Sequence, residues 1–172
     1  MIPANIEILY SAEKISKRIT ELGKEISSDY QGKKLTAVVL MTGGMIFAAD
    51  LVRNLDIPVW VDSINVSSYH GHSSSGELKF RSSLKLDVKD RHILLIDEVF
   101  DTGFTMDSLR KYILEKGASS VKSAVAVVKN VKRQPEIKMP EYVGFYAPDR
   151  YLIGYGLDSN EDGRNYPFIG AV

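Results

Sequence analysis

The apolar positions recur with two different periods along the chain. After Ser11, which is placed as an N-cap, Ile15, Ile19, Leu22 and Ile26 follow at spacings of four, three and four and put one apolar stripe on a helix. TAVVLM at 36–41 is a nearly continuous apolar run, as a strand buried on both faces should be. Thr42-Gly43-Gly44 breaks that run before a helical stretch at 45–55. Residues 58–69 alternate and are rich in β-branched and aromatic side chains, which predicts a strand. HGHSSSGELKFRSS at 70–83 has little to bury and is expected to be a mobile loop or a weak hairpin. RHILLIDEV at 91–99 is a second buried strand. Met106, Leu109, Tyr112 and Ile113 then line one face of a helix over 106–117, with Gly117 as its stop. Another strand is predicted at 121–129, and two short segments, strand or strand and turn, at 142–147 and 151–156.

This order predicts an α/β fold whose mostly parallel twisted sheet is flanked by helices. Such sheets bind ligands at the carboxyl ends of their strands. Two glycine-containing turns, 42–44 and 101–105, sit at such ends.

Composition narrows the picture. The 172 residues are 44% apolar and 26% charged, the profile of one globular domain spanning 1–172. Twenty-two basic side chains balance 22 acidic ones, so no long-range field draws the chain to nucleic acid or to an anionic membrane. With no cysteine there is no disulfide scaffold, cysteine nucleophile or cysteine zinc site, which is compatible with a cytoplasmic setting. The first residues lack a basic region followed by an apolar core, and no apolar run approaches the ~20 residues that span a bilayer. Neither a secretory leader nor a membrane span is expected.

The chemistry concentrates at LLIDEVFDTGFT, 94–105. An apolar run ends in Asp97 and Glu98, and Asp101 opens a turn that leads straight into a helix. Thr102, Gly103, Phe104 and Thr105 can aim backbone N–H groups and two hydroxyls at one point, where the positive end of the helix dipole also lies; that is a phosphate cradle. It lacks the lysine of a P-loop and the GxGxxG of a dinucleotide site. Carboxylates do not bind phosphate, but they accept from hydroxyls or hold Mg²⁺. A cradle beside such acceptors suits a ribose phosphate, with Asp101 placed to act as a base on a group joined to the sugar. Taken alone, Asp-Thr-Gly is an ordinary turn and cap; the apolar run, acid pair and turn in one register are much rarer.

ILLIDEVFDTGFT, 93–105, resembles the phosphoribosyl pyrophosphate (PRPP) signature of the type I phosphoribosyltransferases. Nearly the whole chain resembles the 6-oxopurine branch of that family, the hypoxanthine-guanine phosphoribosyltransferases. The resemblance implies the family's fold, with a small hood subdomain at about 140–172 joined by N-terminal residues and a catalytic flap at about 69–83. It implies that Asp97 and Glu98 bind the ribose hydroxyls, that Asp101 to Thr105 cradle the 5′-phosphate, and that Asp101 is the catalytic base near N7 of a purine. VVLMTGGMIFAADL, 38–51, is similar to the pyrophosphate loop and its helix: Met41, Thr42 and Gly43 would bind pyrophosphate through their backbone, often with a non-proline cis peptide. Some members carry a basic residue where Thr42 stands. Ser68 and Tyr69 match the pair that opens the flap. His70 and His72 have no third ligand and are taken as loop residues.

PDRYLIGYGLDSNEDGRNYPFIG, 148–170, resembles the purine-binding end. Tyr151 would stack on the base, Leu152 would offer backbone groups to its edge, and Arg164 would meet pyrophosphate as a forked donor. Asp158 would hold a second Mg²⁺ and contact the base. Metal roles thus fall to Asp158, Asp97 and Glu98, with Mg²⁺ as cofactor. Lys129, 28 residues beyond Asp101, would donate to the purine 6-oxo group; counting back from Asp158 reaches Asn130 instead. Lys132 and Arg133 read as a small basic cluster on a solvated loop. Asp97-Glu98 reverses the commoner Glu-Asp order, and Phe104 replaces smaller or polar residues, so its ring must find a place to pack.

The resemblance implies transfer of the phosphoribosyl group from PRPP to a 6-oxopurine, giving IMP or GMP and pyrophosphate, by a homodimer or homotetramer. A PRPP- or nucleotide-sensing regulator of the same fold, or a phosphoribosyltransferase for xanthine or another base, is the alternative. Balanced charge and Asp101 weigh against the regulator.

Overall fold

The computed structural model describes residues 6–68 and 78–172. Ser11 caps helix α1 (Ala12–Asp29), its hydroxyl accepting from the Lys14 N–H at 3.4 Å, and Ile15, Ile19, Leu22 and Ile26 are all buried. Strand β2 (Leu35–Met41) leads into α2 (Gly44–Arg53), and β3 (Val59–Ser68) follows. The predicted 58–69 strand thus holds to Ser68, while Tyr69, His70 and His72 lie outside the described residues. Within the polar 70–83 segment, β4 (Leu78–Phe80) pairs antiparallel with β3. Next come β5 (His92–Phe100), α3 (Phe104–Glu115), β6 (Ser120–Lys129) and β7 (Tyr142–Ala147).

The main sheet runs β4-β3-β2-β5-β6-β7, and every pairing but β3 with β4 is parallel. Strand β5 shows why its sequence is continuously apolar. Leu94 and Ile96 enter the core under α1 and α2, with Leu22, Phe47 and Leu51; Ile93 and Leu95 enter the core under α3, with Val38, Leu109 and Ile113. The chain winds outward in one direction from β2 to β3 and in the other from β5 to β6. The crevice between β2 and β5 is therefore the topological switch point, where open α/β sheets take ligands.

Helix α3 begins at Phe104, two residues before the apolar period announced it, because Gly103 turns the chain there at φ 82°. Met106, Leu109 and Ile113 are buried. Tyr112 is half-buried and packs on Phe80 of β4, with ring centroids 4.5 Å apart. Asp62 of β3 is buried and accepts from the N–H groups of Ser63 (2.8 Å), Lys85 (2.8 Å) and Leu86 (2.9 Å), which anchors the chain where it returns from β4.

A second, antiparallel sheet joins the two ends of the chain: β1 (Glu7–Tyr10), β9 (Ile169–Ala171) and β8 (Leu152–Ile153), in that order. The 140–172 stretch therefore divides, since β7 extends the main sheet and only the later residues enter the small one. The predicted 151–156 segment keeps two strand residues; Gly154, Tyr155 and Gly156 follow at φ 93°, 53° and 99° as a turn. The small sheet sits against the main body through Tyr10, whose ring stacks on Phe145 at 4.1 Å and whose hydroxyl donates to the Tyr146 carbonyl at 2.5 Å.

Candidate active site

Three chain segments meet at the switch point. The turn after β2 carries Met41, Thr42 and Gly43, and the Met41–Thr42 peptide is cis. Gly43 lies directly against the acid pair: a Cβ there would stand 2.0 Å from Glu98 Oε1 and 2.2 Å from its Cδ. Gly44 presses on β5, where a Cβ would meet the Ile96 carbonyl at 2.9 Å. The third segment is the turn after β8, where a Cβ on Gly156 would meet the Gly43 carbonyl at 2.2 Å. Three glycines thus let backbone, carboxylate and backbone close on one point, a contact that no other residue type permits.

The acid pair sits where the sequence placed it, near the end of β5, half-buried. Lost hydration, then the charge and hydrogen bonding of Glu98, hold the Asp97 carboxyl well above the usual carboxylate range, although the Glu98 N–H donates to Asp97 Oδ1 at 2.9 Å. A group that resists ionisation here is one that gains from a hydroxyl or a cation.

Beyond the pair, Asp97, Asp101, Thr102, Gly103, Thr105 and Met106 line a concavity of about 210 Å³. Its floor is the N-terminus of α3, where unpaired N–H groups and the helix dipole favour an anion. Phe104 is half-buried, and its N–H lies 3.5 Å from Thr102 Oγ1, a long contact that a better acceptor would displace. Gly103 is required twice over. Its φ is positive, and a Cβ there would lie 2.5 Å from both Phe100 and Ile137.

Asp101 reaches across to β6. Its side chain is 49% exposed, and its Oδ2 stands 3.4 Å from Lys129 Nζ, which also pairs with Asp149 at 3.0 Å. Burial alone would lower the Lys129 pKa; the hydrogen bond to Asp149 and the charges of Asp101 and Asp149 carry it above the ordinary lysine value. Of the two sequence candidates, Lys129 is the residue beside Asp101, whereas Asn130 is exposed and its N–H donates to the Ala147 carbonyl.

The remaining candidates lie on or beside the small sheet. Tyr151 is 69% exposed, an open aromatic face. Leu152 is buried and pairs with Ala171. Arg164 is held among its neighbours: Nη1 donates to the Gly156 carbonyl at 2.8 Å, and Nη2 pairs with Asp158 Oδ1 at 2.8 Å and Glu161 Oε2 at 3.2 Å. Asp158 Oδ2 accepts from the Glu161 N–H at 2.8 Å. Among the described residues no three His, Cys, Asp or Glu side chains form a metal cluster, so Asp97, Glu98 and Asp158 do not make one cage. Their hard oxygens still suit Mg²⁺, which commonly takes one or two carboxylates and completes its shell from water and phosphate. Ser68 ends β3, its backbone paired with Leu78.

Two residues escaped the sequence reading. Gly156, in an unremarked Gly-Tyr-Gly, is what lets the turn after β8 touch Gly43. Arg133, assigned to a solvated loop, faces inward: it donates to the carbonyls of Asp101 and Phe100 at 2.6 and 3.1 Å. A lone arginine in a polar loop carries no local signal of that partner.

The family described as "Phosphoribosyl transferase domain" matches residues 5–160. The chain is 41% identical over 169 residues to the hypoxanthine-guanine phosphoribosyltransferase of Aquifex aeolicus, covering 97% of this chain and 94% of that one. To the Bacillus subtilis protein of the same name it is 37% identical over 174 residues, covering 100% and 96%. A crystal structure of a hypoxanthine phosphoribosyltransferase from Staphylococcus aureus matches it with a TM-score of 0.91 and 34% identity, over 96% of this chain and 90% of that one.

Proposed function

The chain belongs to the phosphoribosyl transferase family, and from that premise we propose that it is a purine salvage enzyme moving the 5-phosphoribosyl group of PRPP onto N9 of hypoxanthine or guanine. The observation that carries the reading is the half-buried acid pair Asp97-Glu98, which lies against Gly43 and beside the cradle at the start of α3. One site then offers acceptors for ribose hydroxyls, donors for a 5′-phosphate, and a backbone turn for pyrophosphate.

In this reading Thr102 to Thr105 hold the 5′-phosphate, and Asp97 and Glu98 accept from the ribose hydroxyls. The backbone at Met41–Gly43 and Arg164 meet pyrophosphate, which requires Arg164 to leave Asp158 or share it. Tyr151 stacks on the base, Leu152 offers backbone to its edge, and Lys129 donates to its 6-oxo oxygen. The bond from C1′ to pyrophosphate oxygen breaks and the bond from C1′ to N9 forms. The proton on N7 passes to Asp101, and pyrophosphate leaves with the bonding pair. Asp97, Glu98 and Asp158 would hold Mg²⁺, whose chemistry would be to offset the charge of pyrophosphate and make it a better leaving group.

A cytoplasmic setting and assembly as a homodimer or homotetramer belong to the same proposal. No described helix is long and apolar enough to cross a membrane. The test mixes the protein with PRPP, Mg²⁺ and, separately, hypoxanthine, guanine, xanthine, adenine and uracil. Nucleotide from hypoxanthine or guanine but not adenine is expected. Xanthine or uracil as sole substrate overturns the purine pocket, and PRPP binding without any turnover favours a sensor.

A further inference from the structure

Arg133 stands four residues beyond Lys129, in the loop after β6. Its guanidinium is bonded almost entirely to main-chain oxygens. Nε donates to the Asp101 carbonyl at 2.6 Å. Nη2 donates to the Phe100 carbonyl at 3.1 Å and to that of Lys129, and Nη1 to that of Val131 at 3.3 Å. The same group lies 5.0 Å from the centroid of the Phe100 ring. Two of these oxygens belong to the end of β5 and the turn that present Asp101; the other two belong to the end of β6 and the loop that present Lys129.

We infer that Arg133 is a positioning residue that ties Asp101 to Lys129, and so sets the separation between the purine's proton acceptor and the donor to its 6-oxo group. The inference rests on the proposed function. A purine is rigid, so N7 and O6 are a fixed distance apart, and the two protein groups that meet them must keep a matching distance. The side chains cannot do this for themselves. Their own contact is long, at 3.4 Å, Asp101 is half exposed, and Asp149 competes for Lys129 at 3.0 Å. Pairs of that kind contribute little. Four charge-assisted bonds from one planar fork across two loops contribute far more. The planar fork matters as much as the charge: lysine's single ammonium cannot span oxygens on both sides of it.

The test compares Arg133→Met and Arg133→Lys with wild type, with Lys132→Met as a nearby exposed control. It reads kcat and KM for hypoxanthine, PRPP binding by calorimetry with Mg²⁺, and the melting temperature. The expected result is a fall in kcat/KM for hypoxanthine on the order of tenfold or more in both Arg133 variants, with lysine failing to rescue. PRPP affinity should stay within about threefold, since Arg133 bonds to neither acid of the pair and to none of Thr102 to Thr105. Lys132→Met should match wild type. Arg133 variants that match wild type overturn the positioning role. So does an equal loss of PRPP affinity and hypoxanthine turnover with a depressed melting temperature, which marks a merely structural arginine. A wild type that converts no purine overturns the proposed function first, and the positioning role with it.

Discussion

Replacing Gly43 with alanine separates the role of the acid pair from the stability of the fold. Gly43 has φ −63° and ψ −42°, a backbone conformation open to any residue, so alanine brings no backbone strain of its own. The atoms nearest to the added methyl belong to the carboxylate of Glu98, with Oε1 at 2.0 Å. To regain the 3.4 Å of ordinary contact that carboxylate must withdraw by about 1.4 Å. A long side chain can do so cheaply, but a withdrawn Glu98 no longer meets a ribose hydroxyl. Loss of one hydrogen bond to a charged group costs about 2 kcal/mol, or roughly thirtyfold in affinity. The expected outcome is a PRPP KM raised roughly thirtyfold with a melting temperature near wild type. The assay is steady-state kinetics with PRPP varied, run as a double-mutant cycle with Glu98→Ala. If displacement of Glu98 is the mechanism, Gly43→Ala adds almost nothing once Glu98 is alanine. A wild-type KM, or a full penalty in the Glu98→Ala background, refutes the reasoning.

Other perturbations give distinct readouts. Asp101→Asn keeps the shape of the turn but cannot take the N7 proton, so kcat should fall on the order of 10²-fold or more while PRPP still binds by calorimetry. Tyr151→Ala removes an exposed aromatic face and should raise the purine KM on the order of tenfold, leaving PRPP affinity unchanged in the same titration. Asp97 is held above the usual carboxylate range, so the folded state binds its proton more tightly than the unfolded chain; stability is full below the unfolded value and is lost as pH rises from there through the raised folded one. Asp97→Asn should therefore melt a few degrees higher at neutral pH while losing PRPP affinity, and a lower melting temperature counts against the burial argument. Glu141 behaves in the opposite sense. Burial alone would raise its carboxyl, but hydrogen bonds from Arg110, Lys138 and the Ser123 N–H carry it from 4.5 down to about 2. Its contribution of about 3 kcal/mol is complete above the unfolded value and is lost as pH falls from 4.5 toward 2. Urea melts across that range should show the loss in wild type and little of it in Glu141→Gln.

The elements with a period of their own were legible in the chain. The stripe from Ile15 to Ile26, the continuous run before Asp97 and Met106, Leu109 and Ile113 of α3 each bury what their spacing says they bury, because a helix or a strand repeats over a few residues. The phosphate turn was legible for the same reason, since Asp101 to Thr105 act as one local unit whose chemistry needs no distant partner. The small sheet was not legible. Strands β1 and β9, of four and three residues, come from distant parts of the sequence and pair with each other, with β9 also paired to β8, so neither is marked by a period of its own. Nor could sequence find Gly43 against Glu98, Gly156 against Gly43, or Arg133 on the carbonyls of Phe100 and Asp101. Those contacts join segments tens of residues apart, and no local pattern encodes them. Residue type and short-range spacing determined which groups could take phosphate, hydroxyl and proton. Only the order of strands across the switch point decided that they would face one another, because strand order sets which chain ends meet.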